Sequence, residues 1–441
     1  MNSDEIIGKL CECGFDTYIV GGAVRDLLRG VNPKDEDIVT AATPDQVLEI
    51  FKDQKTKEVG KSFKVVLIDG IEVATFRTDR YNGLNSKDVE TSIVNSIEED
   101  LSRRDFSINS MALCQYTGEV IDSFHGREDL KNKVIRFTGN PETRIYEDPN
   151  RILRACRFLA SIGGTFEEKT KEALKKYSYL VKDNISKERI SIEIFKALSI
   201  KNTSIFFRAL HEIDALKYIF PSMNLCFGLD HGKFHIEDVG SHLMVCGDNI
   251  SSKCSLIKLA GYLHDVGKLK FEVDFDNIIH FKQHEIYSYV FIRKELHDLK
   301  FPNRYIDYIS NLSLLHMRVF ESPKAIRRLL KDCEERNVGM KDIIRLRLAD
   351  RKANMRRESF LVSDVKKMIN DIENVKDERP PNKFRDLNIN GNEIIELTGL
   401  KPGPEVGEIL KHLLDLVIDD PELNENEILK QKTLEFKKGN L

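Results

Sequence analysis

Residues 19–43, IVGGAVRDLLRGVNPKDEDIVTAAT, place a glycine pair and a tight acidic cluster close together. A strand-like apolar start runs into Gly21 and Gly22, and a short helical pattern follows. At such a turn, bare backbone N–H groups can approach a triphosphate. Arg25, one turn into the helix, adds charge for the same phosphates. Asp35 and Asp37 are two residues apart, so on a strand both carboxylates share a face and Glu36 points away. Two close carboxylates repel unless something positive lies between them. Magnesium suits the pair, because it takes oxygen ligands and leaves positions for substrate phosphates. A lone glycine pair is a turn and a lone Asp-x-Asp a solvated loop. Joined as G-G-x-V-R-D followed by D-x-D, they point to metal-assisted transfer from a nucleoside triphosphate.

Three further constellations carry chemistry. RRDFSINSMA (103–112) holds Arg104, a phosphate candidate, and Asp105 and Asn109, spaced for one helical face. EDPNRILRACRF (147–158) spaces Asp148 and Arg151 three apart, also for one helical face, and Arg154 and Arg157 continue at the same step. Between residues 235 and 350 lie His242, His264-Asp265 within LHDVGK, His284, His316 and Asp350. Adjacent His and Asp with a distant His and Asp can close a metal site on neighbouring helices and activate a water. Lys268 is placed to contact a phosphate there. Arg345, Arg347, Arg351, Lys352, Arg356 and Arg357 cluster around Asp350, a local patch suited to RNA backbone or simply a solvated helix face.

These residues need an α/β scaffold first and a helical one afterwards. TYIVGGAV, EDIVTAA, FKVVLIDGIEVATFR and EVIDSF read as strands, with Asp69-Gly70 splitting the third into a hairpin. VRDLLRG and TPDQVLEIFKD read as helices between them. Glu72 is a candidate third carboxylate on a neighbouring strand. Asn82-Gly83 and Ser86-Lys87-Asp88 read as a mobile loop. From about residue 147 the pattern is almost entirely helical, with a boundary at the paired prolines near 376–384 and a Gly/Pro turn feeding an amphipathic helix in the tail.

The bulk numbers agree with a multidomain enzyme. A chain of 441 residues predicts two to four domains, and 41% hydrophobic residues suffice for cores. The net charge of −4 excludes a global basic field, so a nucleic-acid site must be local. No apolar run approaches the roughly 18 residues of a membrane span. MNSDEIIGKL lacks a signal-peptide layout, and eight scattered cysteines without a CxxC pair fit free thiols in a reducing cytoplasm.

In order, these motifs resemble the signature of class II tRNA nucleotidyltransferases, within the polymerase-β nucleotidyltransferase superfamily. The second motif is usually R-R-D-F-T-I-N-A; Ser107 and Ser110 replace Thr and Ala here. IDSFHGREDL (121–130) is similar to a third, D-P-F-x-G, with Ser123 in place of proline. EDPNRILRACRF matches E-D-x-x-R, KERISIEIFKAL (187–198) resembles the helical fifth motif, and NGNEIIELTGLKPGPEVGEIL the C-terminal unit. The ordered histidines resemble the HD domain of metal-dependent phosphohydrolases.

The resemblance implies addition of C, C and A to tRNA 3′ ends from CTP and ATP, with pyrophosphate released and protein side chains selecting the base. It assigns that selection to Asp148 and Arg151. Their chemistry fits, because a carboxylate accepts and a guanidinium only donates. Cytosine and adenine present an amine beside a ring nitrogen acceptor, whereas U and G would set a carbonyl against the carboxylate. It gives Asp105 and Asn109 a part in recognising ribose and nucleotide, and the loop near 79–90 a part in switching from CTP to ATP.

The expected fold is α+β and multidomain. A mixed-sheet catalytic head spans 1–135 and a helical nucleotide-selecting neck 136–205. A helical body spans 206–375, with an HD unit at about 235–355, and a helical tail covers 385–441. Expected catalytic residues are Asp35 and Asp37, holding Mg2+. Nucleotide binding falls to Gly21, Gly22, Arg25, Arg104, Asp105, Asn109, Asp148, Arg151, Arg154 and Arg157. His242, His264, Asp265 and Asp350 would hold a second divalent metal. The expected partners are tRNA, CTP and ATP in the cytoplasm, with neither membrane nor DNA. Three alternatives stay open: a CC- or A-adding enzyme or poly(A) polymerase of the same fold, an HD phosphohydrolase acting on nucleotides or RNA ends, and a non-catalytic RNA-binding protein.

Overall fold

The structure, a computed structural model, describes all residues except 34, 60–63, 85–88, 233–234, 275–278, 379 and 441. The chain divides into two compact units, 1–224 with 298–301, and 225–297 with 302–441.

The first unit is built on a sheet of seven strands. In chain order they are β1 (Thr17–Val20), β2 (Asp37–Thr40), β3 (Thr56–Val59), β4 (Val65–Ile68), β5 (Ile71–Thr75), and, after a separate hairpin of β6 (Arg77–Tyr81) and β7 (Val89–Ile93), β8 (Ala112–Leu113) and β9 (Val120–Ile121). The spatial order is β3-β4-β5-β2-β1-β8-β9, with β2 and β5 parallel and the other neighbours antiparallel. The β4–β5 hairpin turns at Asp69 (φ 49) and Gly70 (φ 93), the positive angles of a tight hairpin turn.

Strand alternation divides the apolar residues between two faces. Ile19, Ile38 and Val73 pack under the helices Ser3–Glu12, Gly22–Leu28 and Pro44–Ile50 with Ile6, Leu10, Val24, Val47 and Phe51. Val20, Val39, Phe76, Ile97, Leu101 and Ala112 form a smaller core on the other face. Each large side chain so buried contributes about 1.5–3 kcal/mol, which holds the strand ends where β1 and β2 open towards the site.

Helices Pro141–Glu147, Arg151–Ile162, Glu168–Lys176, Lys187–Leu198 and Ser204–Glu212 complete this unit. The expected neck boundary at 205 falls inside the last of these. Phe206, Phe207 and Leu210 are buried and the helix packs on Arg151–Ile162, so the unit runs to Asn224.

In the second unit, helices Val239–Asp248, Ser255–Leu263, Asn303–Leu315 and Met340–Ala353 pack together, and the Gly267 N–H donates to Ser288 of the helix His284–Asp298 at 2.8 Å. The helices Gly391–Thr398, Pro404–Asp419 and Asn426–Asn440 form a separate core around Ile394, Ile409, Leu413, Val417 and Leu429. Short strand pairs at Thr165–Phe166 with Val134–Ile135, and at Glu272–Val273 with Ile279–His280, interrupt the otherwise helical region. Among the described residues, no helix is long and apolar enough to cross a membrane.

Candidate active site

A cavity of about 480 Å³ opens in the first unit where β1 and β2 end. It is lined by Gly21, Gly22, Arg25, Asp37, Arg104, Asp105, Asn109, Asp148, Arg151, Arg154 and Arg157, all predicted from sequence. Asp79, Tyr81, Arg103 and Phe158 line it too and were not. Its six arginines outnumber its four aspartates, so it favours a polyanion.

The glycine turn works differently from the sequence expectation. Gly21 has φ 70 and ψ −127 and caps the seven-residue helix Gly22–Leu28. Its own N–H donates to the Met111 carbonyl at 3.2 Å, so it is consumed by the backbone and offers nothing to a phosphate. What Gly21 supplies is space. A Cβ there would lie 2.8 Å from Arg104 Nη1 and 3.9 Å from Asp37 Oδ2. Gly21→Ala is therefore expected to cost about 1–3 kcal/mol of stability through backbone strain. It should also displace Arg104 and lower nucleotide incorporation. Denaturant unfolding and incorporation assays measure the two effects.

Asp37 begins β2 opposite Val20, but Asp35 precedes the strand and does not line the cavity. The shared strand face is thus corrected: the acidic segment straightens only at Asp37, where pairing with β1 starts. The two remain close enough to interact. Burial raises the Asp37 carboxyl above its ordinary range, Arg104 opposes this, and Asp35 adds to it. Glu72 lies on β5, where the register Ile38↔Val73 sets it beside Asp37 on the face away from Val73, yet it does not line the cavity.

The second motif folds as a short 3-10 turn, Ser107–Asn109, instead of an α-helix. Asn109 Nδ2 donates to Asp105 Oδ1 at 3.0 Å, while Arg25 Nη1 donates to Asn109 Oδ1 at 2.7 Å. Arg154 grips Asp105 Oδ2 through Nε and Nη2 at 2.7 and 2.5 Å. Burial alone would raise the Asp105 carboxyl, but Arg154 and Asn109 hold it below its ordinary range. Arg104 pairs with buried Asp100 at 3.2 Å, and Arg157 with buried Glu193 at 2.6 Å. In the third motif, Asp122 accepts from the N–H of Gly126 and Arg127 at 2.7 and 2.9 Å, which fixes the turn that carries Ser123 in place of proline.

Asp148 and Arg151 do not share a helix. Asp148 follows the helix Pro141–Glu147 in extended conformation (φ −145, ψ 97), and the next helix begins at Arg151. Pro149 gives the reason, since the residue before a proline is pushed out of helical geometry. Asp148 accepts from Asn150 N at 3.1 Å and Arg189 Nη2 at 2.8 Å. Arg151 donates to Glu147 Oε2 at 2.6 Å and the Arg144 carbonyl at 2.8 Å, and stands 5.8 Å from the Tyr81 ring centre. Tyr81 comes from the β6–β7 hairpin, whose strands take in both ends of the loop expected near 79–90; Ser86-Lys87-Asp88 lie outside the described residues.

Comparison with known proteins gives the family. The family model "Poly A polymerase head domain" matches residues 17–136, "Probable RNA and SrmB- binding site of polymerase A" matches 164–226, and tRNA nucleotidyltransferase domain 2 matches 286–433. The CCA-adding enzyme of Ligilactobacillus salivarius is 31% identical over 433 residues, 96% of this chain and 93% of that protein. The chain belongs to the CCA-adding enzyme family of tRNA nucleotidyltransferases. Poly(A) polymerase I of Salmonella typhi is 36% identical, but over 56% of each chain. The crystal structure of the Bacillus stearothermophilus CCA-adding enzyme in complex with CTP superposes with a TM-score of 0.65 at 25% identity, covering 99% of this chain and 96% of that one.

This CCA-adding family member also carries a buried cluster in its second unit. Asp265 stands at its centre. Its Oδ1 lies 3.1 Å from His284 Nε2 and 3.3 Å from His316 Nε2; its Oδ2 lies 3.3 Å from His264 Nε2 and 3.8 Å from His242 Nε2. Asp350 Oδ1 approaches His242 Nε2 at 3.0 Å and His264 Nε2 at 3.6 Å. The rings of His264, His284 and His316 pair through Nδ1 with the carbonyls of Gly261, Phe281 and Ser313, which leaves Nε2 facing the carboxylate. His264 Nε2 and Asp265 Oδ1 have no hydrogen-bond partner among the described residues. Burial alone would raise Asp265, yet His264, Lys268 and His284 hold it well below the carboxylate range.

His231, His235 and Glu237 join His242 on its other side, a grouping not found from sequence. The arginine patch beside Asp350 is partly engaged internally. Arg345 pairs with Asp342, Arg347 donates to the His316 and Arg318 carbonyls, and Arg351 donates to that of Glu358.

Proposed function

We propose that this chain adds C, C and A to tRNA 3′ ends from CTP and ATP, and that the cavity between β1, β2 and the helix Arg151–Ile162 is where it does so. One observation carries this reading: a full-length match to a CCA-adding enzyme converges on a cavity where an acceptor, Asp148, and a donor, Arg151, stand together beside a carboxylate and several arginines. Transfer in this family depends on a divalent metal. The hard oxygen donors Asp35 and Asp37 suit Mg2+, which supplies charge neutralisation at the phosphates and acidifies the attacking hydroxyl when bound. The terminal tRNA hydroxyl forms a bond to the α-phosphorus as the bond to pyrophosphate breaks. Arg104, fixed by Asp100, and Arg25, fixed through Asn109, supply positive charge on the phosphate side without reorganisation. Asp105 and Asn109 would hold the ribose in this reading. Asp148 accepts from the base amine while Arg151, released from Glu147, donates to the adjacent ring nitrogen. With ATP alone, a tRNA ending in CC should gain one A and stop. A long A run would instead assign the chain to poly(A) synthesis.

A second reading concerns the buried cluster. The split of Asp265 between two histidine pairs, with Asp350 on one side, supports an HD-type centre for divalent ions, held by His242, His264, Asp265 and Asp350 and by Asp265, His284 and His316. Ions there would supply an electrophile for a phosphoester, and Lys268, 2.6 Å from Asp265, would orient its charge. His316→Ala is expected to lower the manganese, nickel or zinc retained after gel filtration by about one ion per chain, with CCA addition unchanged. Equal metal content in variant and wild type would remove this reading.

A further inference from the structure

Asp148 sits on a break between helices, so no helical turn fixes its side chain. Two bonds do so instead, from Asn150 N to Oδ1 and from Arg189 Nη2 to Oδ2. The second crosses forty-one residues of sequence. Arg189 lies in the first turn of Lys187–Leu198, where its N–H donates to the capping Ser186 hydroxyl at 3.3 Å. That helix is itself anchored. Ile190 and Ile194 are fully buried, and Glu193 holds Arg157 of the helix that carries Arg151. Arg189 therefore reaches Asp148 from a rigid support through a charge-assisted bond, about twice as strong as a neutral one.

The chemistry of the bases makes that tie consequential. Cytosine shows an amine beside an acceptor nitrogen; uracil shows a carbonyl beside an N–H. A carboxylate moved one position along the edge would accept from the uracil N–H and select the wrong base. A carboxylate has about four acceptor sites. The bonds from Asn150 and Arg189 occupy two of them, and their directions set which of the others meet the nucleotide.

We propose that Arg189 is the positioning residue for base selection, holding the Asp148 carboxylate in the register that accepts from cytosine and adenine amines. The proposal rests on the reading of Asp148 and Arg151 as the selecting pair. It is tested by incorporation of CTP and UTP into tRNA lacking CCA, using wild type, R189A, R189K, D148A and the D148A/R189A double variant of the full chain. R189A should raise the UTP-to-CTP ratio of kcat/KM by roughly tenfold, mainly through poorer use of CTP. R189K, which keeps the charge without the guanidinium fork, should lie between. In the D148A background, R189A should change the ratio by less than about twofold, because the residue acts through Asp148. A wild-type ratio in both R189A and R189K, or an equal effect of R189A with and without Asp148, would overturn the proposal. If D148A itself left nucleotide choice unaltered, the selecting pair would fall first and this proposal with it. That result is distinct from R189A failing while D148A relaxes the choice.

Discussion

Asp37→Ala is expected to reduce nucleotide incorporation by roughly three orders of magnitude or more, while tRNA binding stays within a few-fold of wild type. Asp37 is the carboxylate that starts β2 and faces the cavity, beside the space that Gly21 leaves open. Deleting it removes the anion to which a bound metal and its triphosphate are referred, and leaves the half-buried Arg104 paired with Asp100 alone among the described carboxylates. The sheet should survive, because Asp37 contributes backbone pairing to Val20 and no apolar side chain to either core. Incorporation kinetics measured beside a tRNA gel shift separate the two effects. An Asp37→Ala protein that still transferred at near wild-type rate would place the catalytic carboxylates elsewhere in the chain.

Asp148→Ala should instead keep transfer but lose its choice of base. A site built to hydrogen-bond a group rejects analogues lacking it because buried polar atoms are left unpaired. Without the carboxylate, the amine of CTP or ATP loses its acceptor and the carbonyl of UTP or GTP loses its repulsion. Discrimination of C over U is expected to fall by roughly 10- to 100-fold, the worth of about 1–3 kcal/mol for a specific base contact. Arg189 and Asn150 would then face a void, so some loss of overall rate accompanies the change. Competition between labelled CTP and UTP measures the ratio directly. Unchanged preference would place the selecting groups elsewhere in the cavity.

The parts of this site legible in the sequence were those fixed by local chemistry. The Asp69-Gly70 hairpin follows from positive φ at both positions, and strand β1 from an apolar run stopped by glycine. The sharpest correction, Asp148 outside a helix, was available too, since the residue before Pro149 resists helical geometry. The i,i+3 spacing competed with that signal and lost. Asp35 was misplaced because residue spacing says where side chains point only once the strand has begun. Asp100, Glu193 and Arg189 orient the arginines and Asp148 through tertiary packing, and no local pattern announces such partners. Tyr81 and Asp79 were hidden in a segment whose polar composition read as loop, although its β-branched residues pair in β6 and β7. In the second unit the ordered histidines were visible, whereas His231, His235 and Glu237 gain meaning only by proximity to His242.

One cavity is expected to add three defined nucleotides and stop. Purified protein, a tRNA lacking CCA, and CTP and ATP supplied singly and together test it most directly, with products weighed by mass spectrometry. CTP alone should add two C residues, ATP alone none, and the mixture C, C and A with no further growth. Addition of C without a terminal A, or an A tail from ATP alone, would mean that this chain is not a CCA-adding enzyme.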